Sequence, residues 1–492
     1  MRPVVTADQT IGATAAELHI HTSARVIRAG RTVGFVTATD CHAALRYGQS
    51  AAVVGLIARA DPDAARPGAA PLELQWADLG AQFDPALVQF LQQLTDICAQ
   101  HAGRIFLVGG VVRALARPEV LTDLDVAIIG DFDVLITAIA AATGGTIVQR
   151  SAFQTATMTF PAALQAVLGM VQYDLVAARS EAYAAIGALP SVEPVDDILV
   201  DLRRRDVTVS AMAVELLPSG PLPVFDPYGG WADLQAGRAR LVHPLSFFED
   251  PTRLIRLARI VARLHLRVDA RLRALIDWSE TSAVCSQVSR FRWLQELQRT
   301  LDEGNPMPAL QKIQQWGVLA AILPGMRLSA ADAALLMGIP ATDRLVVLLW
   351  RLPPAALVAV MQEWTELPVW YRDLVAIRDS RRHWRAWLRR RPSRSILALA
   401  GCAPAALGTV ALIEPLLAQL LAQHAIAQQQ YPMRIKGGDL VAAGVPAGPR
   451  IRRGLEALQI HLWDAAWAGV TPCETVAQQL RYAIQKSTTT RS

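Results

Sequence analysis

The sequence predicts an α+β chain, with a head of strands and helices ahead of a long all-α remainder. Three observations carry this. Residues 105–115 (IFLVGGVVRAL) read as an apolar strand, a Gly-Gly turn and the start of a helix. Residues 123–131 (DLDVAIIGD) read as a second buried strand entered through two aspartates. After Pro244 the strand patterns cease, and helical spacing broken by Pro and Gly runs to the C-terminus.

Taken in order, residues 1–60 form a small α/β unit. Within it GRTVGFVTATDCHAAL (30–45) reads as a turn, an apolar strand and a helix capped near Thr39 or Asp40. Residues 61–83 read as a linker, opening in the Pro/Gly/Ala-rich stretch ADPDAARPGAAP (60–71). The head spans residues 84–243. Leu87, Phe90, Leu91, Leu94 and Ile97 recur at helical spacing before the first strand, and strands and turns continue to about Leu217. Residues 244–305 form a helical neck, and residues 306–492 an all-α body and tail. No internal repeat of fixed period recurs.

A hydrophobic fraction of 52% excludes wholesale disorder, and 492 residues suffice for several domains. Of the 48 basic residues only Lys312, Lys436 and Lys486 are lysines. Such an arginine excess suits phosphate recognition through bidentate guanidinium forks, and a GC-rich coding sequence produces it equally. Cys41, Cys98, Cys285, Cys402 and Cys473 lie far apart with no C-x-x-C pair, which excludes a disulfide framework or a zinc knuckle. That usage and the absence of an apolar core in MRPVVTADQT predict a cytoplasmic protein. Residues 396–413 run eighteen positions without a charge. Gly401, Pro404 and Gly408 interrupt the run, so buried helices and no membrane span are expected.

The chemistry concentrates around the aspartates. Asp123 and Asp125, two apart, point to one face of a strand. Like charges so close raise each other's pKa unless a cation lies between them, and hard oxygen donors favour Mg²⁺ over zinc. An acidic surface turn has the same spelling. Upstream, the Gly109–Gly110 turn lets backbone approach a phosphate, and Arg113, one turn into the helix, reaches the same anion. Further on, Asp250, Arg253, Arg256 and Arg259 recur every three residues near one helix face, either a solvated basic stripe or a recognition surface. His19 and His21 read as strand histidines, since no partner ligands accompany them. The stretch RDSRRHWRAWLRRRPSR (378–394) interleaves Trp384 and Trp387 with arginines, as an RNA-gripping face or a solvated helix would.

Five ordered blocks resemble the class II tRNA nucleotidyltransferase and poly(A) polymerase family. LVGGVVRAL (107–115) followed by DLDVAI (123–128) resembles its motif A. DILVDLRRRDVTVSAMAVEL (197–216) is similar to its R-R-D-F-T-x-N-A block, and VFDPYGGWADLQAGRARLV (224–242) to its D-P-x-G-G-x-x-D-L stretch. FFEDPTRLIRLARIVARL (247–264) resembles the E-D-x-x-R block, and IKGGDLVAAGVPAGPRIRRGLEAL (435–458) the C-terminal G-x-D-L segment.

The resemblance implies a polymerase-beta-like head with an all-α neck, body and tail. It implies Mg²⁺-dependent, template-independent addition of C and A from CTP and ATP to the 3′ end of tRNA, with pyrophosphate leaving. It assigns catalysis and metal binding to Asp123 and Asp125, and nucleotide contacts to Gly110, Arg113, Arg205, Arg256 and Arg259. Asp250 and Arg253 become the base readers. Cytosine and adenine both set an amino donor beside a ring-nitrogen acceptor, which suits a carboxylate next to a guanidinium. Asp174 is either a third carboxylate or an ordinary strand-edge acid. The sequence departs from the family pattern at Ala114, where Asp is usual, and at Val207 and Ser210, where Phe and Asn are. Alternatives are a poly(A) polymerase, an A-only or C-only adding enzyme, or a catalytically silent RNA-binding protein. VVTADQTI (4–11) with GRTVGFVTATD (30–40) resembles a shortened CBS motif, implying a structural remnant or a homodimer contact before a ligand site.

Overall fold

A computed structural model of the chain describes residues 4–18, 23–58, 70–71, 73–119, 121, 123–151, 153–281, 283–364, 367–390, 399, 402–468, 471–473 and 475–488. They divide into two compact units, one of residues 1–300 with 308–322 and the other of residues 301–307 with 323–492.

In the first unit, β1 (Val4–Thr6), β2 (Ser23–Arg28) and β3 (Arg31–Thr37) form a three-stranded sheet in that order. The helix Ala38–Arg46 follows. Its cap is Thr37, earlier than the sequence suggests, because Thr37 and Asp40 satisfy each other's amides in a reciprocal box. His19, His21 and residues 60–69 lie outside the described residues.

The head is built on an eight-stranded sheet. In spatial order its strands are β4 (Glu73–Leu74), β13 (Leu222–Phe225), β12 (Ala213–Leu216), β5 (Arg104–Val108), β6 (Asp125–Ile129), β9 (Gln172–Ala177), β8 (Thr155–Thr159) and β7 (Ile147–Ser151). A separate hairpin pairs β10 (Arg179–Ala182) with β11 (Ser191–Pro194). β6 and β9 run parallel and the other neighbours antiparallel. A parallel pair needs a crossover, here supplied by the helices Phe132–Thr143 and Ala162–Leu168 with β7 and β8 between them.

Side chains along β5 alternate between two cores. Ile105 and Leu107 join Leu91, Leu94, Val126 and Ile128 on one face. Phe106 and Val108 join Ala127, Ile198 and Leu202 on the other. Both faces are covered, which explains why β5 reads as a continuous apolar run. Each fully buried Leu or Ile contributes about 2 kcal/mol. Part of the expected linker belongs to this sheet. Glu73–Leu74 pairs with β13, and the helix Trp76–Gln82 follows, with the Trp76 indole donating to the Leu217 carbonyl at 3.0 Å. A two-residue edge strand is too short to show a period, so composition masked it.

The second unit is helical throughout its described residues. Gly454, in the helix Pro449–Ala468, lets it approach the helix Val476–Thr488 closely. A Cβ at Gly454 would lie 2.6 Å from the Ala483 carbonyl oxygen. Among the described residues no helix is long and apolar enough to cross a membrane.

Candidate active site

β5 ends at Val108, and the next residue, Gly109, has φ +69°, a conformation that favours glycine. A Cβ there would stand 3.0 Å from Oδ2 of Asp125. The turn therefore closes directly onto the first residue of β6. Asp125 lies in register with Asp174 of β9, the acid left open by the sequence. The Asp174 amide donates to the Leu124 carbonyl at 3.0 Å, and the Thr157 hydroxyl donates to Asp174 Oδ1 at 2.7 Å. Asp123 sits exposed just before the strand, while Leu124 between the two acids is buried. Burial pushes the Asp125 carboxyl above the ordinary carboxylate range. Arg205 opposes that shift, and Asp174 and Asp123 add to it.

Two arginines act on Asp125 through their charge. Arg113 is buried; its Nη1 donates to the Ser210 hydroxyl at 3.1 Å and its Nε lies 3.3 Å from Glu119. Arg205 donates through Nη1 to the Ser210 carbonyl at 3.2 Å, and through Nε and Nη2 to Asp201 Oδ2 at 3.2 and 2.9 Å. Asp201, 1% exposed, also receives two bonds from Arg204 on Oδ1. Burial alone would raise the Asp201 carboxyl, but Arg205 and Arg204 outweigh it and hold the group below its ordinary range. Ser210 thus engages both arginines at the position where Asn is usual. Ala114 packs in the head core, and the carboxylate beside Arg113 comes from Glu119.

Residues 204–206 tie this cluster to the helix Arg253–Arg263. The Arg204 carbonyl accepts from Arg253 Nη2 at 2.9 Å, and Asp206 Oδ2 lies 3.0 Å from Arg256 Nε. Arg253 is 4% exposed and also donates to Ser246, Glu249 and the Tyr183 hydroxyl. Arg259 pairs with Glu296 at 3.2 Å. The three arginines are therefore no solvated stripe, since each engages a different acid. Asp250 stands ahead of the helix rather than in its first turn. Its Oδ1 accepts from the Thr252 amide and hydroxyl at 3.0 and 2.6 Å, and forms an ion pair with Arg292 at 2.7 Å. Oδ2 accepts no hydrogen bond among the described residues. Arg292, not Arg253, is the direct partner of Asp250, and no local spacing in the sequence announces it.

The donor chemistry fits Mg²⁺. Asp123 and Asp125 offer hard carboxylate oxygens, and like charges around Asp125 call for a counter-cation. Among the described residues no group of three or more His, Cys, Asp or Glu is gathered to hold a metal ion, so the two aspartates are at most a partial donor set. Open coordination positions suit an ion shared with substrate phosphates. In the second unit, Trp384 is fully buried, parallel to Trp350 at 6.4 Å between centroids, and donates to Ser380. It is a core residue rather than a stacking platform for RNA. Trp387 instead stacks on His383.

Residues 105–240 match the model of the poly A polymerase head domain. The A-adding tRNA nucleotidyltransferase of Halalkalibacterium halodurans is 34% identical over 248 residues, covering 50% of this chain and 56% of that protein. The CC-adding tRNA nucleotidyltransferase of Deinococcus radiodurans is 36% identical over 226 residues, covering 46% and 57%. The chain spans about half the length of these curated relatives. Among solved structures, an apo form of a CCA-adding enzyme superposes with a TM-score of 0.63 over 85% of this chain and 100% of that one, at 21% identity. That last likeness is one of fold.

Proposed function

We propose that this chain, whose residues 105–240 match the poly A polymerase head domain, completes the 3′ CCA end of tRNA without a template, using CTP and ATP. The observation that carries the reading is the register pairing of Asp125 with Asp174 beside the Gly109 turn, with Arg113 and Arg205 acting on Asp125.

Asp123 and Asp125 would hold Mg²⁺, which when bound lowers the pKa of the RNA 3′-hydroxyl and neutralises charge on the triphosphate. Gly110 and Arg113 bind the triphosphate from the turn, and Arg205, fixed by Asp201 and Ser210, binds the sugar and phosphates. Arg256 and Arg259 add positive charge along the helix. Asp250 reads the base: Thr252 and Arg292 fix one oxygen and leave the other for an exocyclic amino group. Arg253 donates to the neighbouring ring nitrogen by exchanging its bond to Tyr183 or to the Arg204 carbonyl. Guanine and uracil carry a carbonyl and a ring N–H at those positions and meet mismatched partners. The relatives named A-adding and CC-adding favour a second reading, addition of only part of the CCA sequence.

Labelled CTP and ATP offered with tRNAs lacking CCA, ending in CC, or complete separate these readings. CCA addition gives C, C, A and a stop. A partial adder uses one acceptor only, a poly(A) polymerase grows long A tails, and a silent protein incorporates nothing.

A further inference from the structure

A cleft of about 280 Å³ opens between the helix Ala38–Arg46, β10, the end of the helix Ile198–Arg203 and residues 243–249. Its carboxylates all have partners. Asp40 is taken up by Thr37, Glu181 by Arg179, Arg204 and Tyr183, and Glu249 by His243 and Arg253. Two of its cations do not. Arg46 and Arg203 are exposed, enter the cleft from different elements, and form no ion pair and donate no side-chain hydrogen bond among the described residues. Ala43, Ile57, Val200 and Leu245 line the cleft with apolar surface. Uncompensated guanidinium groups beside an apolar wall suit an anion that also carries an apolar or aromatic body.

We propose that this cleft, apart from the Asp123–Asp125 site, binds a small phosphate-bearing ligand no larger than a mononucleotide, with Arg46 and Arg203 gripping the phosphate. The volume, just under that of ordinary small-molecule sites, suits a ligand of that size. The cleft also touches the groups that hold Arg253. Glu181 engages Arg204 and Tyr183, the Arg204 carbonyl and the Tyr183 hydroxyl both accept from Arg253, and Glu249 pairs with it.

Calorimetric titration of the full chain with CMP, AMP and inorganic phosphate tests the site. At least one nucleoside monophosphate should bind, and Arg46→Ala/Arg203→Ala should weaken it by about tenfold or more. Both side chains are exposed and unpartnered, so thermal unfolding and incorporation of ATP without added ligand should match wild type. Arg46→Lys/Arg203→Lys, which keeps the charge, should retain most of the affinity and guards against an unfolded double-alanine variant. Phosphate binding as tightly as CMP and AMP would make a free phosphate the occupant and the apolar wall idle, overturning the mononucleotide. Equal binding of all probes by wild type and the double-alanine variant, or no binding by wild type, would overturn the site. Neither result touches the activity proposed above, because Arg46 and Arg203 take no part in it.

Discussion

Gly109 carries two constraints at once, a backbone conformation that disfavours a side chain and a 3.0 Å approach to Asp125. Gly109→Ala should destabilise the chain by about 1–3 kcal/mol and lower kcat by about tenfold or more, as the displaced turn moves Asp125. Urea denaturation and single-turnover incorporation read these separately; an alanine variant with wild-type values for both would remove the turn from the site. The base-reading role proposed for Arg253 carries its own prediction. Arg253→Ala should lower kcat/KM for CTP and ATP together by about 1–3 kcal/mol each and relax rejection of UTP and GTP, since one donor faces the ring nitrogen of either base. Because the side chain is buried among four partners, the same change should also lower folding stability by about 2–4 kcal/mol. Loss of stability with unchanged nucleotide selection would leave Arg253 a structural residue and transfer the reading to Asp250 with Arg292.

At the scale of elements, the strand around Leu107 is legible as a short continuous apolar run and the helix Pro85–Gln100 by apolar residues recurring at helical spacing. The Gly-Gly turn and the two aspartates are legible because they are adjacent in sequence. What escapes is assembled across distance. Asp174 gains its meaning from register with Asp125, Arg292 from a helix some forty residues past Asp250, and Asp201 from gripping Arg204 and Arg205. The arginine stripe shows the same limit. Its spacing predicts one face, yet Arg253 is buried while Arg256 is half-exposed, because the acids that receive them lie on other elements. The 204–206 segment is the joint between the acid cluster and the helix. Arg292→Ala should leave Asp250 Oδ1 held by Thr252 alone and broaden base choice, at some cost in thermal stability, while tRNA affinity changes little. Unaltered discrimination against UTP would show that Thr252 alone fixes Asp250.

For the molecule as a whole, the buried acid–arginine network of the first unit sets a pH dependence. Asp201 and Glu181 both have folded-state pKa values below their ordinary ones, with arginines outweighing burial. Their contribution is therefore present above the unfolded pKa, about 4, and is lost as pH falls through the folded values. Asp201→Asn should lower stability at neutral pH and flatten the loss below about pH 4 relative to wild type. An acid-unfolding curve parallel to wild type would contradict that. The central claim, that the paired carboxylates at the head of β6 drive nucleotide transfer to tRNA, is tested most directly by comparing wild type with Asp125→Asn on a tRNA ending in CC. The account predicts that wild type adds a single A from labelled ATP in the presence of Mg²⁺. The variant should add none measurable while binding the same tRNA with comparable affinity. Incorporation by Asp125→Asn at tens of per cent of the wild-type rate, or none by wild type on this or on a tRNA lacking CCA, would contradict it.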